Sequence, residues 1–437
     1  MHDAPTWDAP AGRITGRRDG RVLRATGIRY ARAKRFAYPT PEPASATPID
    51  ATRPGPACPQ SESPLLEGLL NNPMGDLEQD EDCLRLSVTL PADAQPTDEL
   101  PVIVWIHGGA YVWGAGDAPV FDPSRVVAEQ HVIVVSVTYR LGLFGYLRTP
   151  NSPANLGLVD QIHALRWVRT NIAAFGGDPA NITATGQSAG ADAVAHLMIA
   201  DHTRGLFRRA VLASPPLGVL PRRNRMTAVM ARLTEGLDTD ADPATLLERQ
   251  RQILAGVQRF GLKAAMAYGV QYGEPPLPHE MDRDEAWREV ARRIDLLIGW
   301  TSRESALFTV SALDRITRTP GLGPLAQRAA DQVVTRSIYS GPGQAFADRH
   351  RAAGGRGYRY VLDFGAPGNP YQGAHLIDGA LMFWNPDVWA DSPLLKGLSH
   401  QHIDEAGTCM RQVWGDFART GQLEPMAREG ILTLSEL

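Results

Sequence analysis

Residues 181–190 read Asn181-Ile182-Thr183-Ala184-Thr185-Gly186-Gln187-Ser188-Ala189-Gly190, and this run constrains the fold more than any other part of the chain. A short β-prone run, Ile182 to Thr185, enters a Gly-x-Ser-x-Gly pattern, and a helix-like stretch, Ala191 to Ala200, leaves it. A serine between strand and helix must sit on a sharp turn that exposes its hydroxyl. Gly186 and Gly190 suit that turn, because neighbouring backbone comes too close for a Cβ. The following helix points its N-terminus at the serine, which favours negative charge developing there. Ordinary small-residue loops also produce this five-residue pattern, so an oxyanion site, an acid and a base must be sought elsewhere.

The oxyanion site is visible upstream. Pro101 to Ile106 is an apolar, β-branched run that reads as a buried strand, and it ends in His107-Gly108-Gly109-Ala110-Tyr111. In α/β-hydrolases an HGG-type loop after a central strand donates backbone N–H groups to the tetrahedral intermediate. Gly108 and Gly109 would supply two donors and Ala189 a third.

Several ordered motifs then resemble the type-B carboxylesterases, the family of bacterial para-nitrobenzyl esterases and cholinesterases. Glu81-Asp82-Cys83-Leu84 resembles the family's EDCL signature, and Tyr139-Arg140-Leu141-Gly142 follows the HGGA loop. Asn155 to Gln161, Asn171 to Pro179, the GQSAG elbow and Trp414 to Gly421 match further family segments in order. The resemblance implies an α/β-hydrolase fold: a mostly parallel sheet with helices on both faces and a small N-terminal β-hairpin region. That hairpin is expected over Gly12 to Ala25, with Asp19-Gly20 as its turn. One catalytic domain, somewhat trimmed relative to the family, would occupy residues 1–437.

The resemblance also locates the acid. Ile294 to Gly299 reads as another buried strand, and Trp300-Thr301-Ser302-Arg303-Glu304-Ser305 resembles the segment holding the family's catalytic glutamate, here Glu304. Its place after a core strand agrees, since open α/β sheets carry their sites at the strands' C-terminal ends. Chain order in this fold runs serine, acid, histidine. Of the 11 histidines, His350, His375, His400 and His402 follow Glu304. Pattern favours His375, in a Gly/Pro-rich loop after the strand Gly357 to Phe364, but leaves His400 open. The segment Gly373-Ala374-His375-Leu376-Ile377-Asp378 resembles the one that carries the family's base, which points to His375.

These roles imply an acyl-enzyme esterase: Ser188 attacks, His375 moves the proton, Glu304 orients the imidazole, and no metal or organic cofactor is needed. Tyr111, Trp113, Phe308, Phe383 and Trp384 are the aromatics nearest the triad in sequence, and they are candidates to line the pocket. Arg35 with Glu81 and Arg140 with Asp160 are candidate ion pairs by resemblance. Cys58 and Cys83 stand where many family members have a disulfide; two reduced, buried thiols are the alternative. Cys409 reads as a packing residue.

Charge argues against some partners. The net charge is −4 with both signs interspersed, so there is no basic footprint for nucleic acid. No apolar run reaches transmembrane length. Met1 to Pro10 is polar and lacks a signal-peptide core, so a cytoplasmic location is expected, or secretion if a leader has been removed. The expected partner is a small-molecule ester, with the protein a monomer or small homo-oligomer.

The sequence departs from the family at the site itself. Gln187 replaces the usual glutamate before the nucleophile, Ala193 a common supporting serine, and Ala110 the third glycine of the oxyanion loop. The intervals flanking Glu304 are short, which suggests a trimmed rim and a more open gorge. Two other classes remain: another acyl-transfer hydrolase (amidase, thioesterase, lactone or polyester hydrolase), and a non-catalytic binding module. Matched ester, thioester and amide substrates separate the first; a para-nitrophenyl acetate assay separates the second.

Overall fold

The computed structural model describes residues 4–313 and 322–437. Among them, eleven strands form one sheet, numbered here in chain order: β1 Arg17–Asp19, β2 Val22–Arg29, β3 Arg85–Pro91, β4 Leu100–Ile106, β5 Ile133–Val137, β6 Gly177–Gln187, β7 Arg209–Ala213, β8 Asp295–Thr301, β9 Gly357–Leu362, β10 Met426–Arg428 and β11 Leu432–Glu436. Their spatial order is β10-β11-β9-β8-β7-β6-β4-β5-β3-β2-β1. The six strands from β9 to β5 run parallel, and antiparallel strands close both flanks.

The sequence explains the parallel centre. Every residue of β4, β5, β7 and β8 is buried, as expected of strands covered on both faces. Seven helices are numbered in the same way: α1 Leu156–Asn171, α2 Ala189–Leu197, α3 Pro243–Gly256, α4 Ala306–Leu313, α5 Leu322–Thr335, α6 Ile377–Met382 and α7 His400–Thr420. Two hydrophobic clusters pack around the sheet; Ile106, Ala184 and Ala191 belong to one, and Trp105, Leu297 and Phe417 to the other.

From β4 the chain moves to β5 on one side; from β6 it moves to β7 on the other. The adjacent strands β4 and β6 therefore form a switch point, where α/β sheets leave a crevice beyond their C-terminal ends. The HGGA loop leaves β4 and the serine leaves β6 at that crevice.

The expected N-terminal hairpin divides in two. Arg17–Asp19 and Val22–Arg29 do pair around a turn at Gly20. Gly12–Thr15, however, pairs with Thr6–Ala9 and Ile49–Asp50 in a separate small sheet. The chain bends at Gly16, where a Cβ would lie 2.2 Å from Arg24 O and 2.7 Å from the Trp7 ring.

Arg140 and Asp160 form a buried bidentate pair at 2.7 and 2.8 Å. Arg35 and Glu81 pair in a half-buried setting. Cys58 and Cys83 are free, buried thiols, so the disulfide is not formed. They are neighbours, and Cys58 Sγ accepts the N–H of Leu141 at 3.3 Å. Their contact, together with burial, pushes the Cys83 thiol well above its ordinary range, so Cys83 does not supply a reactive thiolate. Cys409 is buried in α7.

Candidate active site

Ser188 occupies the turn between β6 and α2 with φ 56° and ψ −125°. That is a strained conformation for a side-chain-bearing residue, of the kind that costs about 1–3 kcal/mol and survives only where packing fixes it. The flanking glycines allow the packing. A Cβ on Gly186 would meet Gly190 C at 2.3 Å, and one on Gly190 would meet Ile106 O at 2.0 Å. The turn thus lies directly on the end of β4.

The loop from β4 meets it there. A Cβ on Gly108 would lie 2.8 Å from Gln187 O and 3.2 Å from Ser188 Cβ. Gly109, Ala110 and Tyr111 all have left-handed φ, at 105°, 53° and 61°. The Ser188 N–H is occupied by Ala213 O at 2.9 Å. Among the described hydrogen bonds, none is donated by the backbone N–H of Gly108, Gly109 or Ala189. These three expected oxyanion donors therefore have no protein acceptor, and Gly108 lies against Ser188.

Glu304 and His375 come from the loops after β8 and β9. His375 Nδ1 donates to Glu304 Oε2 at 2.5 Å, and Glu304 Oε1 accepts the Thr301 N–H at 2.7 Å. Glu304 is fully buried and His375 nearly so. With Nδ1–H facing the carboxylate, the Nε2 lone pair is free to accept. It takes a hydrogen bond from Gln187 Nε2 at 3.3 Å. No hydrogen bond joins Ser188 Oγ to His375 in this state, as is common before substrate tightens a site. Gln187, which in the sequence stands out only as a departure, thus touches the base. His400, the other sequence candidate, packs edge-on against Trp384 instead.

Two further ionisable groups flank the triad. Burial pushes the Asp378 carboxyl up to about 7, with His375 opposing and Glu304 adding to the rise. Burial also holds His107 down to about 4, so it is neutral beside the oxyanion loop. Asp378 has a stability consequence. A carboxyl whose folded value is raised from 3.8 to about 7 stabilises the fold least above that range and most below it, a difference of about 4 kcal/mol at full ionisation. Asp378→Asn should therefore raise the Tm by several degrees at pH 8, and by less than half as much at pH 5. A thermal melt series across that range checks it; an equal gain at both ends would rule out the carboxyl's ionisation as the cause.

The serine and the base open onto a cavity of about 940 Å3, near the upper end for small-molecule sites. Of the five aromatics expected from sequence, Trp113 and Phe308 line it. Tyr111, Phe383 and Trp384 do not. Tyr111 is wholly buried with its hydroxyl turned to Asp192, and Phe383 packs on Trp105 at 4.6 Å between ring centroids. Trp384 lies in the same core cluster as Phe383. The remaining wall was not anticipated. Leu65 and Leu66 come from the β2–β3 connection, Leu254 and Met266 from the β7–β8 connection, and Ile338 and Tyr339 from the β8–β9 connection. Phe308 and Tyr339 lie against the base, their ring centroids 5.9 and 5.2 Å from His375. Among the described residues, no helix is long and apolar enough to cross a membrane.

The sequence matches the profile of the carboxylesterase family over residues 3–321. The chain belongs to the carboxylesterase family. The resemblance carried by the EDCL, HGGA and GQSAG segments is upheld, and this esterase is an enzyme of carboxylic ester hydrolysis. It is 39% identical to a probable N-octanoylanthranilate hydrolase of Rhodococcus erythropolis, over 97% of this chain and 94% of that protein. It is 30% identical to the para-nitrobenzyl esterase of Bacillus subtilis, over 94% of this chain and 88% of that protein. A solved PNB esterase structure superposes with a TM-score of 0.78 at 28% identity, covering 99% of this esterase and 97% of that chain. The sheet is accordingly that of an α/β-hydrolase.

Proposed function

We propose that this esterase works through an acyl-enzyme on Ser188, with His375 as base and Glu304 as acid, and that it prefers small esters with apolar acyl and alcohol parts. The observation that carries the reading is the His375–Glu304 hydrogen bond facing a strained serine across one cavity. Glu304 fixes the tautomer that leaves Nε2 able to take the Ser188 proton and stabilises the imidazolium that results. The oxyanion then forms where the Gly108, Gly109 and Ala189 N–H groups converge, each worth about 3 kcal/mol by analogy with other hydrolases. His375 returns the proton to the departing alcohol, and water repeats the sequence on the acyl-enzyme. None of these steps calls for a metal or cofactor.

The cavity's chemistry sets the substrate class. Its walls are mostly aliphatic and aromatic, with uncharged polar groups such as Gln60, Gln250 and Thr309 among them, and its charged residues, Glu62 and Arg251, are exposed. An apolar space of this size accommodates a medium acyl chain together with an aryl alcohol. Para-nitrophenyl butyrate and octanoate should be turned over well below their solubility limits. Palmitate turnover that begins only above its solubility limit would indicate a lipase and overturn the reading.

A second substrate class has one specific support. The Rhodococcus relative is named for a hydrolase of an N-acyl anthranilate, whose scissile bond is an aryl amide. The same triad and oxyanion donors serve amide cleavage. Matched para-nitrophenyl octanoate and N-octanoylanthranilate assays decide which bond is cut faster.

A further inference from the structure

A cluster of buried polar groups lies directly behind the oxyanion loop, and the proposed mechanism does not use it. Asp192 is in the first turn of α2, four residues after Ser188, and is wholly buried. Tyr111 ends the loop that begins with Gly108, and it too is wholly buried. The Tyr111 hydroxyl donates to Asp192 Oδ2 at 2.6 Å. His196, one turn further along α2, donates from Nδ1 to Asp192 O at 2.7 Å and accepts from the Tyr272 hydroxyl at 2.6 Å. The Arg223 guanidinium is buried near the same carboxylate and hydrogen-bonds Ala267 O.

We infer that Asp192 is a positioning residue that latches the oxyanion loop to the nucleophile helix through Tyr111. Three observations converge on it. First, the loop needs holding: Ala110 and Tyr111 carry left-handed φ without being glycine, a conformation that persists only where surroundings over-determine it. Second, Tyr111 is fixed at both ends. Its carbonyl accepts the Gly142 N–H at 2.6 Å, its ring packs on Tyr146 at 4.4 Å, and its hydroxyl meets Asp192. Third, the latch joins the two elements whose relative position defines the oxyanion site, since Gly108 and Gly109 precede Tyr111 while Ser188 and Ala189 open the helix bearing Asp192. A buried carboxylate accepting from a phenol gives a short, directional bond in a low-dielectric setting. Asp192 touches neither substrate nor the reacting atoms; it acts by holding N–H donors in place.

The inference rests on the proposed triad and oxyanion site, and the test separates the two. Ser188→Ala, Tyr111→Phe and Asp192→Asn are assayed together on para-nitrophenyl butyrate, with affinity for a trifluoromethyl ketone analogue and a thermal melt. Tyr111→Phe keeps the ring and its packing and removes only the latch. Its kcat should fall about 10- to 100-fold, less than or comparable to deleting one oxyanion donor, with KM within about threefold. Analogue affinity should weaken in parallel, because the analogue's oxyanion uses the same donors. Asp192→Asn retains an acceptor oxygen for the Tyr111 hydroxyl and should keep most of the parent's kcat. Tyr111→Phe with wild-type kcat and analogue affinity would overturn the latch while leaving the triad intact. Equal loss of kcat and of folded protein, with analogue affinity per folded site unchanged, would overturn it too, by reducing Tyr111 to a packing role. Ester turnover surviving in Ser188→Ala would instead overturn the triad reading beneath it.

Discussion

Ser188→Ala should abolish ester turnover while leaving the fold intact. The side chain lost is a single hydroxyl on a turn whose geometry is set by glycines and by the Ser188 N–H bond to Ala213 O, so the Tm should move little. The expected loss in kcat/KM is about 10⁴- to 10⁶-fold, because members of such a triad act as a unit and one removal forfeits nearly the whole effect. Turnover of para-nitrophenyl butyrate measures it, and an organophosphate should label the parent enzyme at Ser188 alone. Stoichiometric labelling at any other residue would reassign the nucleophile.

Glu304→Gln should be nearly as damaging, for a reason visible in the hydrogen bonds. The carboxylate accepts twice, from the Thr301 N–H at 2.7 Å and from His375 Nδ1–H at 2.5 Å. A glutamine has one acceptor oxygen and one NH2 group. If the oxygen faces Thr301, the NH2 faces Nδ1 and selects the tautomer with its proton on Nε2, which cannot take the serine's. If the oxygen faces His375, two N–H groups oppose each other at Thr301 in a fully buried site, which costs about 1–3 kcal/mol. The loss in kcat should be about 10³- to 10⁴-fold, by analogy with the equivalent change in other triads. A kcat within tenfold of the parent would show that Glu304 does not govern the imidazole.

What the sequence disclosed depends on how local each constraint is. The elbow was legible because its glycines answer to close approaches of backbone, Gly186 to Gly190 within the turn and Gly190 to Ile106 O at the end of β4. The HGGA loop was legible in the same way, with Gly109 crowded by Trp113 within the loop and Gly108 by Gln187 across from it. Glu304 and His375 lie 71 positions apart and meet only through the pairing of β8 with β9, so spacing alone left His400 in contention and resemblance had to choose. Nearness in sequence misled for the aromatics. Tyr111 adjoins the oxyanion loop yet turns inward to Asp192, and Phe383 follows α6 into the core against Trp105. The N-terminal hairpin was half right because strand pairing breaks at Gly16, with Gly12–Thr15 in one sheet and Arg17–Asp19 in another. Tyr339 and Met266 carried no local signal, since a cavity wall is a property of how distant connections fold over one sheet.

Those walls are built from different parts of the chain than the chemistry. The reactive groups sit on the sheet's own strand ends and the turns leaving them. The surfaces that choose what reaches them belong to excursions between β2 and β3, β7 and β8, and β8 and β9. A lineage can therefore lengthen, shorten or exchange an excursion and acquire a new diet without disturbing the geometry that breaks the bond. Transplanting residues 216–294 from a relative with different tastes should carry those tastes with it, at little expense in turnover.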